Sequence, residues 1–183
     1  VTVIKPFSGW ESLGIKELWA YRDLIYFMLW RDIKGRYQQM ALGPLWIILT
    51  PLLSTITNTL IFNLIAGLQS GTAVPFALFN MSAVLIWQLF QNTVLNTASS
   101  LYLNKDLIGK VYFPRLIYPI VAMLSNFVDF CMAFIVLFIL ILLDGQYPPS
   151  ITYLTIPIFV FVAMIAGLSI GLWLSTWIVK YRD

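Results

Sequence analysis

The chain has 183 residues, of which 60% are hydrophobic and only 10% charged, and its mean hydropathy is +0.86. Because about a quarter of the residues in a soluble domain are charged, this composition excludes a soluble globular fold and predicts a membrane protein. The net charge is +3, but the cations cluster in short segments, where they set membrane orientation, so no nucleic-acid partner is expected. The absence of His and the single Cys exclude a zinc site or histidine acid–base catalysis within the chain.

Residues 1–40 form an N-terminal segment in which charged residues alternate with aromatic ones. Its longest uncharged run, residues 24–30, would extend only about 10 Å as a helix, which is too short to cross a bilayer. The segment is therefore predicted to be an amphipathic interfacial helix in the headgroup layer, and the alternative is a short cytoplasmic helix packed on other protein. An aromatic–Arg–Asp triplet occurs twice here and again at residues 181–183, and such residues suit the headgroup level. The residues assigned to this helix are Tyr21, Arg22, Asp23, Trp30, Arg31, Asp32 and Arg36.

Residues 41–183 are predicted to form a transmembrane domain, so that the fold class is an all-α polytopic helical bundle. Four apolar segments reach the ~20 residues that a membrane-spanning helix needs. They lie near residues 45–66, 76–101, 116–143 and 151–179. The loops at 67–75 and 144–150 contain no Lys or Arg, whereas the loop at 104–115 is basic. The positive-inside rule therefore predicts that both ends of the chain and this basic loop are cytoplasmic.

Two of the predicted spans carry a polar face at helical spacing. In the first span this face contains Thr50, Ser54, Thr57 and Asn58, and in the second it contains Gln88, Asn92, Asn96 and Ser99. Such groups either hydrogen-bond between helices or line a polar passage. Hydrogen bonding is the favoured interpretation for the Thr and Ser side chains, and the two interpretations stay level for the amide-rich face of the second span.

Asp129 is an ionisable residue in the middle of the third predicted span. A carboxylate at membrane depth costs about 2.5–3.5 kcal/mol on insertion scales. We therefore expect this buried ionisable group to face protein, water or a cation, or to be protonated. A structural or conformational role is favoured over a proton relay, because relays contain several ionisable groups.

Small residues repeat every four positions in the last predicted span, at Ala163, Gly167, Gly171 and Ser175. Such a ridge permits two helices to approach closely, so it is predicted to be a packing surface.

Sequence motifs for catalysis are missing from the chain. There is no Gly-x-x-x-x-Gly-Lys-Ser/Thr phosphate loop and no Gly-x-Ser-x-Gly nucleophile turn. Binding of ATP by that route and catalysis within this chain are therefore not expected.

Three blocks of sequence carry a resemblance to a known family. They are residues 21–46 with YRDL, WRDIKGRY and LGPLW, residues 104–115 with NKDLIGKVYFPR, and residues 172–183 with LWLS and KYRD. Together they resemble the membrane subunits of ABC-2 type exporters, most closely the group that exports polysaccharides such as O-antigen, capsule or teichoic acid. The resemblance covers nearly the whole chain.

The resemblance implies a multi-pass permease subunit of the bacterial inner membrane that moves lipid-linked polysaccharide outward. It also implies a homodimer docked on two ATP-hydrolysing subunits, so that ATP and Mg²⁺ would bind in that partner and this chain would hold no cofactor. The family pattern continues through two further spans, so the chain is expected to be part of a longer subunit. The alternatives are export of a drug or lipid by a sister group and a four-span scaffold without transport.

The resemblance also assigns roles to particular residues. The basic loop would be a coupling helix that enters a cleft of the ATPase, with apolar anchors and orienting charges, and the alternative is an ordinary loop that only fixes topology. Its residues are Lys105, Asp106, Leu107, Ile108, Lys110, Val111, Tyr112, Phe113, Pro114 and Arg115. The residues assigned to a possible translocation path are Trp46, Thr50, Ser54, Thr57, Asn58, Gln88 and Asn92.

Overall fold

The computed structural model of the chain describes residues 15–38, 45–61, 75–105, 114–145 and 150–181. These ranges contain helices and turns but no strand, which confirms the all-helical prediction for this part of the chain. The helices are α1 (Ile15–Ala20), α2 (Arg22–Gln38), α3 (Leu45–Leu60), α4 (Phe76–Leu103), α5 (Ile117–Asp144) and α6 (Ser150–Tyr181).

Helix α4 is the central element of the bundle, since it contacts α3, α5 and α6. Its inward face repeats apolar side chains at four-residue spacing, so they form one stripe along the helix. Met81, Leu85 and Leu89 supply this stripe. They form a buried core with Phe130, Ala133 and Leu137 of α5 and with Val160 and Ala163 of α6.

Helix α3 runs antiparallel to α4. The amide of Gln88 donates to the Ser54 hydroxyl at 3.3 Å, and the amide of Asn80, two turns earlier in α4, donates to the Thr59 hydroxyl at 3.3 Å. The numbering therefore rises along α3 as it falls along α4.

Helix α5 also runs antiparallel to α4, because Leu101 near the end of α4 packs in the same cluster as Ile117 at the start of α5. The Asn96–Asn126 hydrogen bond lies further along the same pair of helices. The segment that connects α4 to α5 therefore leaves and re-enters the bundle at one end.

Helix α6 runs parallel to α4 and approaches it closely. A methyl group built on Gly167 would lie 2.9 Å from Thr93 Cβ, and one built on Gly171 would lie 2.6 Å from Thr97 Cβ. Both threonines turn Cβ and Cγ2 towards the glycines. The prediction that the small-residue ridge is a packing surface is confirmed.

The two last helices carry apolar surface that points away from the bundle. In the described part of the chain, two helices are long and apolar enough to cross a membrane, Ile117–Asp144 and the Thr155–Lys180 stretch of α6. Their outward side chains include Phe159, Phe161 and Val162, each more than half exposed. Exposed apolar surface of this extent suits contact with lipid. The crossing of the membrane by α3 and α4 stays a prediction.

The N-terminal helices pack at the end of the bundle from which the basic loop emerges. Met28 of α2 is buried against Ile117, Tyr118 and Val121 in the first turns of α5. Leu18, Leu24, Ile25, Leu29 and Leu101 complete this second apolar cluster. Helix α2 is thus held by contacts with other helices of the chain, whereas its position in the headgroup layer stays a prediction.

The close approach of α4 and α6 predicts a sharp difference between two Gly→Ala substitutions. Gly171→Ala should lower the free energy of unfolding by about 1–3 kcal/mol, because the new methyl would overlap Thr97. Gly35→Ala, where nothing lies within 4 Å of the added methyl, should instead stabilise helix α2 by about 0.5–1 kcal/mol. Thermal unfolding midpoints in detergent measure both effects. Equal midpoints for the two variants would contradict the packing argument.

Candidate functional site

The aromatic–Arg–Asp triplets of α2 form ion pairs between adjacent residues. Arg22 Nε lies 3.7 Å from Asp23 Oδ1, and Arg31 Nη2 lies 2.9 Å from Asp32 Oδ1. Exposed pairs of this kind contribute about 0–1 kcal/mol, so they do not hold the helix in place. Exposed aromatic side chains lie on α1, on α2 and in the turn between them, and they are Trp19, Tyr21, Tyr26, Phe27 and Trp30. In the third triplet, Arg182 and Asp183 lie outside the described residues.

Arg36 occupies a different position from the other residues assigned to the interfacial helix. Its Nη1 donates to Asp129 Oδ2 at 3.0 Å, and the two residues are 93 positions apart in the chain. The two side chains are 35% and 28% exposed, so Asp129 is half-buried instead of buried as predicted. The expectation that this carboxylate faces protein or a cation is confirmed. The guanidinium of Arg36 points towards α5, and the assignment of Arg36 to an interfacial helix stays a prediction.

The side chains of the polar face predicted for α3 lie in two different environments, one against α4 and one exposed. Ser54 accepts the hydrogen bond from Gln88, so these two side chains connect α3 with α4. Thr50 and Thr57 are exposed, and the Thr50 hydroxyl donates to the Trp46 carbonyl one turn earlier at 2.9 Å. Helical spacing predicted a single face, whereas the neighbouring helix covers only one edge of it. Asn58 is half-buried.

Helix α4 presents a mixed aromatic and amide surface away from its neighbours. Trp87 is 61% exposed, and Gln91 and Asn92 follow one turn later, also exposed. Trp46 of α3 is 48% exposed. Among the residues assigned to a translocation path, four have exposed side chains, which are Trp46, Thr50, Thr57 and Asn92. The side chains of Ser54 and Gln88 are instead hydrogen-bonded to each other between α3 and α4.

The sequence interpretation missed two asparagines that connect helices. Asn126 of α5 accepts a hydrogen bond from Asn96 at 2.7 Å and is itself buried. Asn80 donates to the Thr55 carbonyl and to the Thr59 hydroxyl. Asn126 sits next to Ser125 in an apolar segment, and an isolated amide in such a segment is a usable signal for a buried helix contact.

The basic loop is described only at its two edges. Lys105, just past the end of α4, is exposed, and its Nζ lies 5.0 Å from the centre of the Tyr102 ring. At the other edge the Pro114 carbonyl accepts a hydrogen bond from the Ile117 backbone N–H at 3.1 Å, and Arg115 is exposed. The other residues assigned to the coupling loop, Asp106, Leu107, Ile108, Lys110, Val111, Tyr112 and Phe113, lie outside the described residues.

One end of the bundle therefore gathers several cations and the N-terminal helices. Lys105 and Arg115 project there, α1 and α2 pack there against the start of α5, and α6 brings Lys180 to the same end because it runs parallel to α4. Asp144, exposed at the last turn of α5, lies at the opposite end. This arrangement is that of a helical membrane protein with cations at one end and polar side chains on its outward faces.

Comparison with known proteins finds relatives named as permeases of O-antigen export. The chain is similar to "O-antigen export system permease protein RfbA" of Myxococcus xanthus, with 29% identity over 169 residues, or 92% of this chain and 64% of that protein. Two proteins of the same name from Klebsiella pneumoniae are 28% and 26% identical over 162 residues, or 88% of this chain and 61% of each. No family model matches the chain. The predicted resemblance to polysaccharide export permeases is confirmed, and the chain spans about three fifths of the length of these relatives.

The hydrogen bond between α4 and α5 can be tested by a double-mutant cycle. Asn96→Ala and Asn126→Ala should each destabilise the protein, and the coupling between them should be about 0.6–1.7 kcal/mol, the range for polar contacts between membrane helices. Unfolding in detergent measures the four species of the cycle. Gln91→Ala, at an exposed position of α4, is the matched control and should leave the unfolding free energy unchanged. If the effects of the two Asn substitutions simply add, the Asn96–Asn126 hydrogen bond does not contribute to the stability of the protein.

Proposed function

We propose that this chain is the membrane-embedded part of a permease subunit in an ATP-driven exporter, which moves lipid-linked polysaccharide from the cytoplasmic side outward. The observation that carries the proposal is the similarity to three O-antigen export permeases across about nine tenths of the chain. The same relatives support a location in the bacterial inner membrane and a role in transport instead of catalysis.

The basic end of the bundle supports docking of a separate ATPase. Lys105 and Arg115 flank the loop and are exposed, so they can meet an acidic rim and orient the partner as it approaches. The apolar residues of the loop between them, and Phe113 in particular, would form the buried centre that gives such an interface its affinity. ATP and Mg²⁺ would then bind in the partner, and the chain would respond to the partner's conformational cycle.

The charge distribution supports the orientation of this docking end. Lys105, Arg115 and Lys180 lie at one end, and the exposed Asp144 at the other. Because loops rich in Lys and Arg remain in the cytoplasm, the basic end and the N-terminus are proposed to be cytoplasmic. An ATPase that draws on cytoplasmic ATP can reach only that end.

The outward faces of α3 and α4 support a passage at their surface. Trp46, Thr50 and Thr57 on α3, and Asn92 on α4, are exposed in one copy of the chain. A second copy facing these helices would enclose them, and the exposed Trp87, one turn before Gln91, offers an aromatic face for a sugar ring. We propose that glycan moves along this surface in a homodimer.

Docking of the ATPase can be tested in two ways that separate affinity from membrane orientation. Phe113→Asp should weaken capture of the ATPase by the full-length subunit at least about tenfold, because it places a charge at an apolar anchor of the interface. The double variant Lys105→Glu with Arg115→Glu should do the same through like-charge repulsion. Affinity capture from detergent extracts measures both.

The charge control for this experiment comes from the opposite end of the bundle. Asp144→Asn removes a charge far from the loop and should capture the ATPase normally. Phe113→Asp retains every cation that fixes topology, so a loss of capture in this variant cannot come from inverted insertion. If Phe113→Asp captures the ATPase normally, the loop is not a coupling helix. The alternative, an ordinary loop that only fixes topology, is then favoured.

Exposure of the passage to water can be tested by thiol labelling in the full-length exporter. In a Cys131→Ala background, Asn92→Cys should react with a small water-soluble methanethiosulfonate at least about tenfold faster than Phe161→Cys, because the reaction requires hydrated thiolate. Phe161 lies on the exposed apolar face of α6 and reports the rate at a lipid-facing position. Equal slow rates at the two positions would place Asn92 against lipid or protein and exclude it from the passage.

A further inference from the structure

The Arg36–Asp129 ion pair connects two parts of the chain that are remote in sequence. Arg36 stands near the end of α2, and Asp129 stands near the middle of α5. Their side-chain atoms meet at 3.0 Å, and both side chains are about one third exposed. The other described ion pairs in the structure join adjacent residues of α2, so this pair alone among them fixes the position of one helix on another.

A second contact fixes the direction in which α2 runs along α5. Met28 packs with Val121 in the buried cluster at the start of α5, and Arg36 reaches Asp129 further along. From Met28 to Arg36, and equally from Val121 to Asp129, the chain advances eight residues, which is roughly 12 Å in a helix. The two helices therefore lie side by side over about two turns and advance in the same sense.

The face of α2 that is turned towards α5 changes character along its length. Met28, Asp32 and Arg36 recur every four residues, so they share one face of the helix. The first is buried in the apolar cluster, and the last carries the ion pair. The apolar cluster thus anchors the beginning of the shared surface, and the ion pair closes its far end.

Helix α5 places the ion pair inside the apolar layer if the helix crosses the membrane. Its 28 residues extend roughly 42 Å, against a hydrocarbon core of about 30 Å, so about 12 Å must project beyond the core. Asp129 lies twelve residues, or roughly 18 Å, after Ile117. If the helix is not tilted, Asp129 lies roughly 6 Å inside the core when all of the excess length projects at the start of the helix. It lies roughly 18 Å inside the core when all of the excess length projects at the other end. Loss of either partner would remove the attraction between the two opposite charges there.

The position of α5 in the chain gives this pair a role in transport. Helix α5 begins at Ile117, two residues after Arg115, which is the last residue assigned to the coupling loop. Any displacement of that loop by an ATPase acts directly on the first turns of α5, where α2 is also held. A rigid connection between α2 and α5 would carry that displacement to both helices at once.

We propose that Arg36 and Asp129 are positioning residues of the transport cycle. Their ion pair holds α2 to α5, so that the N-terminal helix and the first half of α5 move as one body when the ATPase acts on the basic loop. The proposal rests on the proposed export function for its consequence in transport, but the helix contact itself can be tested without transport.

The test uses the full-length subunit with its ATPase and four sets of substitutions. Arg36→Gln and Asp129→Asn each remove one charge, the double variant with both replaces the ion pair by two amides, and Arg36→Asp with Asp129→Arg reverses it. Lys34→Gln and Asp144→Asn are matched controls, since they remove one cation and one carboxylate from exposed positions of the same two helices. The thermal midpoint in detergent, capture of the ATPase and export per ATP hydrolysed are measured for each variant.

We expect the two single variants to lower the thermal midpoint by at least about 5 °C relative to the controls, because each leaves a charge without its partner. The double amide variant should recover most of this midpoint and should still capture the ATPase, yet export per ATP should remain at least about tenfold below wild type. The reversed pair should recover the midpoint and export together, because it restores attraction between the helices. Such a pattern assigns the pair to transmission of movement in addition to stability.

Several results would overturn the proposal. Midpoints of Arg36→Gln and Asp129→Asn equal to those of Lys34→Gln and Asp144→Asn would show that the ion pair does not hold the helices together. Wild-type export per ATP by the double amide variant would reduce the pair to a structural contact. If the wild-type subunit neither captures the ATPase nor exports glycan, the proposed function fails, while the midpoints still decide whether the pair connects α2 with α5.

Discussion

The carboxylate of Asp129 lies in the middle of the apolar helix α5 and requires a partner, and this requirement helps to fix where α2 packs. Asp129 is the single charged residue between Leu116 and Leu143, and the insertion cost of about 2.5–3.5 kcal/mol falls only if a partner compensates the charge. The partner is Arg36, which belongs to a helix that is otherwise polar and aromatic on its outward side. The need to neutralise one group therefore places α2 along α5 and brings the N-terminal helices to the end of the bundle where the basic loop emerges.

Three kinds of contact hold the helices together, each between different pairs of helices. Helices α4 and α6 approach through Gly167 and Gly171, where backbone contact and dispersion replace side-chain hydrogen bonds. Amides connect α4 with α3 and with α5, and each such bond contributes only about 1 kcal/mol. Helix α2 is attached by one apolar cluster and one ion pair. Because these contacts differ in strength and in dependence on charge, substitutions that disturb one pair of helices leave the others largely intact.

Much of the fold could be predicted from the sequence, because it follows from local patterns. The long uncharged segments indicate the helices, and the four-residue spacing of Gly167 and Gly171 indicates their close packing. The partner of Asp129 could not be predicted, since 93 residues separate it from Arg36 and no periodic pattern connects them. The polar face of α3 was predicted as one surface, whereas the structure separates Ser54, which bonds to Gln88, from the exposed Thr50 and Thr57, for a related reason. Helical spacing shows which side chains point the same way, but not how far the next helix extends over them.

The outward surface of α4 carries amide side chains that require a further polar neighbour if the helix lies in a membrane. This helix packs against α3, α5 and α6, yet Gln91 and Asn92 remain exposed, as does Trp87. Amides that face hydrocarbon lose their hydrogen bonds to water without replacement, so in a membrane they turn towards protein or a water-filled space. Lipid suits Phe161 and Val162 on α6, but it does not suit these amides. The side of the bundle formed by α3 and α4 therefore suits a protein neighbour or a water-filled space, whereas the outward side of α6 suits lipid.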